Sequence, residues 1–459
     1  MTDTKGRPTS KAEALIDGLM ALHPKGYDLS LGRIRRLLDR LGNPERKLPP
    51  VVHVAGTNGK GSTIAFIRAI LEASGWQVHV HTSPHLVHWH ERYRVGGAIV
   101  SDAMLADAIT RVADANDGEA ITVFELLTAV GFVLFSEQPA DVVLMEVGLG
   151  GRLDCTNVVP DKALTVITPI GMDHEAHLGS TLSAIAAEKA GILQRGTPLV
   201  VATQADEALD VIEAAAARLG IEPVVAGRDY LAQAEGGGMT FQELTPDGEG
   251  RLYDLSLPAL AGPHQIANAA TAIAACRTLS RTLARPLPND AFERGLRAVE
   301  WPGRLQRLSS GPLLAGAPVG TEVWVDGGHN AHAACAVTQH MAALADRAPR
   351  PLFLVVGMLN TKVPTDFLAQ FAGLVRHVFA VPLATTDAGL APHELARHAR
   401  AAGLSAEPAA SAREAVATIY RDWPFEPGGQ GVGPRILVTG SLYLAGETLA
   451  ALETASSTT

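Results

Sequence analysis

From Val51 onward, short apolar runs rich in β-branched residues alternate with longer runs of helical period, and no other feature of the chain constrains its fold as much. The segments "VVHVA", "QVHVHTS", "DVVLMEV", "ALTVIT" and "PLVVAT" are largely apolar, as strands covered on both faces must be. The helical stretches between them supply the crossovers that parallel strands require. The expected class is therefore α/β with a mostly parallel sheet. "HQIANAATAIAACRTL" and "PNDAFERGLRAV" read as two further helices, the second with an Asn or Asp cap. The interruption "EWPGRLQRL" follows, and the alternation resumes with "EVWVD", "PLFLVVG", "VRHVFAVPL" and "PRILVTG". Because 459 residues exceed one ordinary core, two domains are expected, residues 1–298 and a smaller 299–459, with "PGGQGVGP" (427–434) as a surface loop of the second.

A net charge of −10 argues against broad nucleic-acid or anionic-membrane binding, so an anionic substrate must meet a local positive site. Cys155, Cys276 and Cys335 are scattered and odd in number, which suits a reducing compartment. The N-terminus is polar, and the longest apolar window, "ITVFELLTAVGFVLF", is interrupted by Glu125 and too short to span a bilayer. The expectation is a soluble, cytoplasmic chain, with no feature calling for more than a monomer.

Between the first strand and the first helix after it lies Gly56-Thr57-Asn58-Gly59-Lys60-Gly61-Ser62. Glycines let the backbone aim N–H groups at an anion, and the following helix adds its positive end. The spacing is shorter than the usual phosphate loop, and a plain turn with a solvated lysine is the alternative. Glu146 ends another strand and is followed by Gly148, Gly150, Gly151 and Arg152, a placement that suits a magnesium carboxylate at a sheet's carboxyl edge. Asp173-His174 follows a third strand, with Lys189 on the next helix; each, taken alone, is more often an ordinary surface group. His79, His81, His85, His88 and His90 crowd together, but His79 and His81 are expected on opposite strand faces, and no local acid or thiol completes a zinc tetrahedron. Ser83 offers a hydroxyl oxygen suited to Mg²⁺. Arg304 marks the domain step, and Asp326 and His329 follow a strand.

The motifs "HVAGTNGKGST", "SPHL", "TVFE", "EVGLGGRLDCTN", "EKAGI", "GPHQIANA", "WPGR", "DGGHN" and "GSLY", in this order over nearly the whole chain, resemble the folylpolyglutamate synthase and dihydrofolate synthase family, relatives of the Mur ligases. The resemblance implies an N-terminal P-loop ATPase-like three-layer domain and a smaller C-terminal Rossmann-like α/β domain. It also implies an ATP-dependent ligase that joins L-glutamate to dihydropteroate and to reduced folates through an acyl phosphate. By the same resemblance, Asn58, Gly59, Lys60, Gly61, Ser62, Asn268, Arg304 and Asp326 contact ATP, and Lys60, Lys189, His174 and His329 are catalytic. Ser83 and Glu146 would hold one Mg²⁺, and Glu146 and His174 a second. Lys189 matches a lysine carried as a carbamate, which requires a desolvated amine of lowered pKa. Thr122, Phe124, Glu125, Arg152 and Asp154 would line the pterin side, with Phe124 stacked on the ring and Asp154 accepting its N–H groups. "YDLSLGRI" (27–34) belongs to the same side. Cys155 and Gly328 stand where the family usually has alanine. A Mur-type ligase acting on a cell-wall precursor is the alternative.

Overall fold

The computed structural model describes residues 10–22, 29–244, 250–423 and 432–456. Tyr27 and Asp28 of "YDLSLGRI" and most of the expected 427–434 loop lie outside the described residues. The chain forms two compact units, one comprising Met1–Ala259 and Ile266–Val299, the other Leu260–Gln265 and Glu300–Thr459.

The first unit is built on an eight-stranded sheet. Its strands are β1 (Val51–Ala55), β2 (Val78–His81), β3 (Tyr93–Val95), β4 (Ala98–Ile99), β5 (Val142–Glu146), β6 (Leu164–Ile167), β7 (Leu199–Val201) and β8 (Val224–Val225), in the order β4-β3-β2-β5-β1-β6-β7-β8. All pair in parallel except at the β2-β3-β4 edge. Strands β1, β5, β6 and β7 are buried at every position, as their largely apolar runs demand. The chain leaves β1 toward β2 on one side and later returns to β6 on the other. That reversal opens a crevice at the carboxyl ends of β5, β1 and β6. Register sets these ends level, Val54 pairing with Glu146 and Ala55 with Ile167.

Five helices matter for the site: α1 (Gly32–Arg40), α2 (Lys60–Ala73), α3 (Val123–Glu137), α4 (Leu182–Ala190) and α5 (Pro263–Thr282). Helix α2 buries Ile64, Phe66, Ile67, Ile70 and Leu71, which seats the end of the glycine-rich loop firmly on the core. A sixth, α6 (Asp290–Ala298), packs its Gly295 on the backbone of Ile70 in α2. The expected Asn or Asp cap of α6 is not formed by Asn289, whose side chain makes no capping bond.

A small antiparallel sheet of β9 (Tyr230–Glu235), β10 (Gly238–Glu243) and β11 (Leu252–Ser256) was not foreseen from sequence. Its strands are half-exposed, so they lack continuous apolar runs. Gly236 and Gly237, both at positive φ, form the β9–β10 turn and are the signal that would have found it.

The second unit holds β12 (Gln306–Arg307), β13 (Glu322–Val325), β14 (Leu352–Val356), β15 (Val375–Ala380), β16 (Ala406–Pro408) and β17 (Arg435–Thr439), ordered β12-β13-β17-β14-β15-β16. All but β12 run parallel. The four expected strands are present, and β12 and β16 are the short edges. Buried Arg435 is clamped within the sheet by Glu322, its Nε 2.7 Å from Oε2.

The α2–α6 contact yields a stability test. A Cβ at Gly295 would lie 2.7 Å from Ile70 Cα and N, atoms that cannot rotate away. Gly295→Ala is expected to cost about 1–3 kcal/mol, the usual range for overpacking, despite the better helix propensity of alanine. Calorimetry should show a lowered Tm; an unchanged or raised one would contradict this packing.

Candidate active site

The loop after β1 is shaped by two glycines that no other residue can replace without displacement. Gly56 has φ +154°, and a Cβ there would fall 1.9 Å from Thr168 Oγ1. Gly59 has φ +83°, and its Cβ would lie 2.6 Å from Asn268 Oδ1, so Asn268 of α5 sits directly against the loop. Thr57 and Asn58 donate their N–H groups to Pro169 O, and Thr57 Oγ1 donates to Gly171 O. The β1 and β6 loops are thereby tied together, two residues ahead of Asp173. Lys60 opens α2, with Gly61 and Ser62 buried behind it.

Two lysines converge on one carbonyl. Lys60 Nζ donates to Gly56 O at 3.2 Å and Lys189 Nζ to the same oxygen at 2.9 Å. Lys60 Nζ also lies 3.9 Å from Glu146 Oε1, whose other oxygen accepts the Ser83 N–H at 3.1 Å. Lys189 is buried on α4, and desolvation, then the nearby Lys60 charge, pulls its pKa down to about 7 against the opposing pull of Asp173 and Asp154. His174 follows at positive φ, its N–H donated to Asp173 Oδ1. Asp173, almost wholly buried at its side chain, was named in the sequence only as a neighbour of His174; its influence on Lys189 is visible only in the fold.

The "TVFE" residues divide into two roles. Thr122 and Glu125 form the capping box of α3, Glu125 Oε2 accepting from Thr122 N and Oγ1 and from Arg33 Nε of α1. An isolated S/T-x-x-E before an apolar run is itself the sequence signature of such a cap. Phe124 instead lays its ring on the backbone of Gly148, where a Cβ would fall 2.2 Å from Cζ. Arg152, largely exposed, is paired with Glu188 of α4, its Nη2 2.7 Å from Oε1.

Asp154, expected to accept the N–H groups of a pterin, is already supplied with donors by the chain itself. Oδ2 accepts from Leu149 N at 2.8 Å, and Oδ1 accepts from Thr156 N at 2.9 Å and from Thr156 Oγ1. Burial raises the Asp154 pKa and these hydrogen bonds oppose it. The carboxylate thus caps the Gly148–Gly151 turn from below. Cys155 is buried with Sγ 3.1 Å from Thr128 Oγ1.

The histidine run needs correcting, because residues two apart on a strand share a face. His79 stacks on Phe135 and His81 lies against Gly131 and Tyr93, so both face α3. Four of the five rings have a polar protein partner: His79 bonds Gly96 N and Gln138 O, His85 accepts from Arg92, His88 meets Glu13 and His90 meets Asp102, whereas His81 Nδ1 is buried without one. Among the described residues, no three His, Cys, Asp or Glu side chains are arranged to hold a metal.

In the second unit, Asp326 Oδ2 accepts from Leu305 N and Oδ1 from Gly328 N, which binds the Arg304 turn to the "DGGHN" turn. Arg304 Nη1 donates to Gly303 O and lies against Gly327. His329 Nδ1 is 3.2 Å from Gly327 O. At Gly328 an added Cβ would meet only Asp326 Oδ1 closely, at 2.8 Å, so glycine relieves the carboxylate there.

A crevice that joins a lysine-bearing glycine loop to a strand-end carboxylate is that of an α/β phosphate-handling enzyme, and comparison with known proteins sharpens the class. Residues 54–276 match the Mur ligase middle domain and residues 303–441 the Mur ligase glutamate ligase domain. The folylpolyglutamate synthase of Lacticaseibacillus casei is 33% identical over 429 residues, covering 90% of this chain and 92% of its own. The dihydrofolate synthase/folylpolyglutamate synthase of Bacillus subtilis is 39% identical over 316 residues, 66% of this chain and 70% of its own. Escherichia coli FolC in complex with DHPP and ADP superposes with a TM-score of 0.83 at 30% identity, covering 98% of this chain and 99% of that one. A bifunctional Yersinia pestis folylpolyglutamate synthase/dihydrofolate synthase complexed with AMPPNP and Mn ion gives a TM-score of 0.82 at 30% identity, over 97% and 100%. The chain belongs to the dihydrofolate synthase/folylpolyglutamate synthase family.

Gly59→Ala is expected to weaken ADP binding about tenfold or more, because an alanine held in the left-handed region costs about 1–2 kcal/mol and its methyl displaces Asn268. Isothermal titration with ADP measures this directly, and wild-type affinity in the variant would remove this loop from the nucleotide site.

Proposed function

We propose that the protein is an ATP-dependent ligase that adds L-glutamate to dihydropteroate, giving dihydrofolate, and to reduced folates, giving folylpolyglutamates. The observation that carries this reading is the placement of Lys60 beside Glu146, with the Phe124 platform on Gly148 two residues further on. Phosphate chemistry and a slab for a flat ring thus meet at one sheet edge. A Mur-type ligase for a cell-wall precursor would share the first half of that arrangement only, and the folate-named relatives favour the folate reading.

A carboxylate is a poor acyl donor until one oxygen becomes a phosphate leaving group. The substrate carboxylate attacks the γ-phosphorus of ATP, and the bond to ADP breaks. The glutamate amine then attacks the acyl carbon, inorganic phosphate departs, and the amine loses a proton. Such transfer depends on positioning and charge neutralisation, which Lys60 supplies on the phosphate side. Asn58, Gly59, Gly61, Ser62, Asn268, Arg304 and Asp326 are proposed as nucleotide contacts, and His329 as a catalytic residue. Ser83 and Glu146 are proposed to hold one Mg²⁺, supported by their adjacency and oxygen donors, and Glu146 and His174 a second. Bound there, Mg²⁺ would neutralise phosphate charge. Arg152 is proposed at the substrate edge, exchanging its Glu188 partner for an anion. Residues 1–298 would carry the ATP and pterin sites and 299–459 the ligase domain, in a cytoplasmic monomer. No described helix is long and apolar enough to cross a membrane, and Cys155, Cys276 and Cys335 are unbridged.

ADP release tests the reading: it should require L-glutamate and Mg²⁺ and occur with both dihydropteroate and tetrahydrofolate. Lys60→Ala should abolish it while preserving the melting curve, because a charge and no core packing is lost. A protein that turns over only a cell-wall precursor would overturn the assignment.

Lys189 is proposed to carry a carbamate, supported by burial that keeps much of its amine neutral near pH 7. The carbamate forms only on the neutral amine, so its occupancy should fall as pH drops through about 7, where Lys189 takes up its proton. Carbon-13 NMR in labelled bicarbonate should show a carbamate signal at pH 8 that fades by pH 6 and is missing from Lys189→Ala.

A further inference from the structure

The buried polar group least explained so far is His53, in the middle of β1. Its neighbours on the strand are Val51, Val52, Val54 and Ala55, and it is 0% exposed. Its Nε2 lies 2.8 Å from Thr156 Oγ1, and Nδ1 has no partner. Thr156 has one hydroxyl hydrogen and directs it to Asp154 Oδ1, a carboxylate that can only accept. Thr156 Oγ1 must therefore receive its other bond from His53, which fixes the imidazole as the Nε2–H tautomer. Burial holds His53 neutral, in agreement with that assignment. The result is a directed chain, His53 to Thr156 to Asp154, which ends on the carboxylate that also accepts the Leu149 N–H. A bare buried Nδ1 carries a desolvation cost that an apolar residue would avoid, so histidine at this position is explained by the donor on its other nitrogen.

We infer that His53 is a positioning residue for the pterin-bearing substrate: through Thr156 it locks the Asp154 carboxylate, and so the Gly148–Leu149 backbone on which Phe124 lies. The inference rests on the ligase reading above. Residues 154–156 connect three elements. Asp154 caps the turn beneath Phe124, Thr156 reaches β1, and Cys155 touches Thr128, whose hydroxyl donates to Phe124 O. Losing the His53 donor frees the Thr156 hydroxyl to rotate and loosens the floor of the ring platform. The glycine loop after β1 is held separately by Thr168, Pro169 and Gly171, so nucleotide binding should be spared.

His53→Phe retains aromatic volume without the donor, and His53→Gln restores an N–H near Nε2. Thr156→Val and Thr156→Ser form the matching pair. The Phe and Val variants should raise KM for dihydropteroate about three- to tenfold, as one lost hydrogen bond supplies, with KM for ATP within about twofold. The Gln and Ser variants should recover most of the loss. Parallel rises in both KM values, or failure of both conservative variants while the melting curve is unchanged, would overturn the proposal. Nitrogen-15 NMR of histidine-labelled wild type tests it without any variant: His53 must show the Nε2–H tautomer, and the Nδ1–H form would exclude the chain. A wild type inactive on both dihydropteroate and tetrahydrofolate would sink the ligase reading instead, and the tautomer measurement would still decide whether the His53–Thr156–Asp154 chain exists.

Discussion

The carbonyl of Gly56 is the point on which the first unit's chemistry depends. Two ammonium groups, from Lys60 at the start of α2 and Lys189 on α4, donate to that one oxygen. Such an arrangement places like charges side by side, and it survives because Lys189 is desolvated toward neutrality while Asp173 and Asp154 oppose the repulsion. It also needs a backbone that brings the carbonyl out between the two helices. Gly56 provides this at φ +154°, pressed so closely on Thr168 that any side chain would displace that residue at the end of β6. A loop, a strand end and two helices are thus fixed by one peptide group.

A second polar core lies behind the Gly148–Gly151 turn. Gly148 allows Phe124 to rest on the backbone, and Gly151 allows the turn to approach Lys189 Cα and Glu188 O. Asp154 binds this turn from inside, so ring platform and buried lysine share a support. Glycine removes steric bulk on the outside and the carboxylate supplies hydrogen bonds within. Together they let a polar, irregular segment remain buried with its donors satisfied.

Much of this was legible in the sequence. Largely apolar runs with no alternation identify β1, β5, β6 and β7 because burial on both faces leaves few polar positions, and the glycine loop announces itself between strand and helix. Half-exposed elements were not legible: β9–β11 carry mixed residues, and only Gly236-Gly237 marks their turn. "TVFE" combined two signals in four residues, a helix cap from Thr122 and Glu125 and a ring platform from Phe124, and the sequence alone did not separate them. His79 and His81 were assigned to opposite faces although a period of two puts them on one, where α3 covers both.

By itself, the sequence determined the α/β class, the family and the chemical types at the sheet edge, because each follows from local period or from residues adjacent in the chain. Tertiary structure decided which groups face one another. It assigned Leu260–Gln265 to the second unit, placed Asn268 on Gly59, and drew Lys189 to Gly56 across 133 positions of sequence. It also showed that Asp154 is satisfied by Leu149 and Thr156, with His53 behind them. The reason is physical: burial sets the cost of a charge or a bare polar atom, and burial and its compensating partners arise only when distant segments pack.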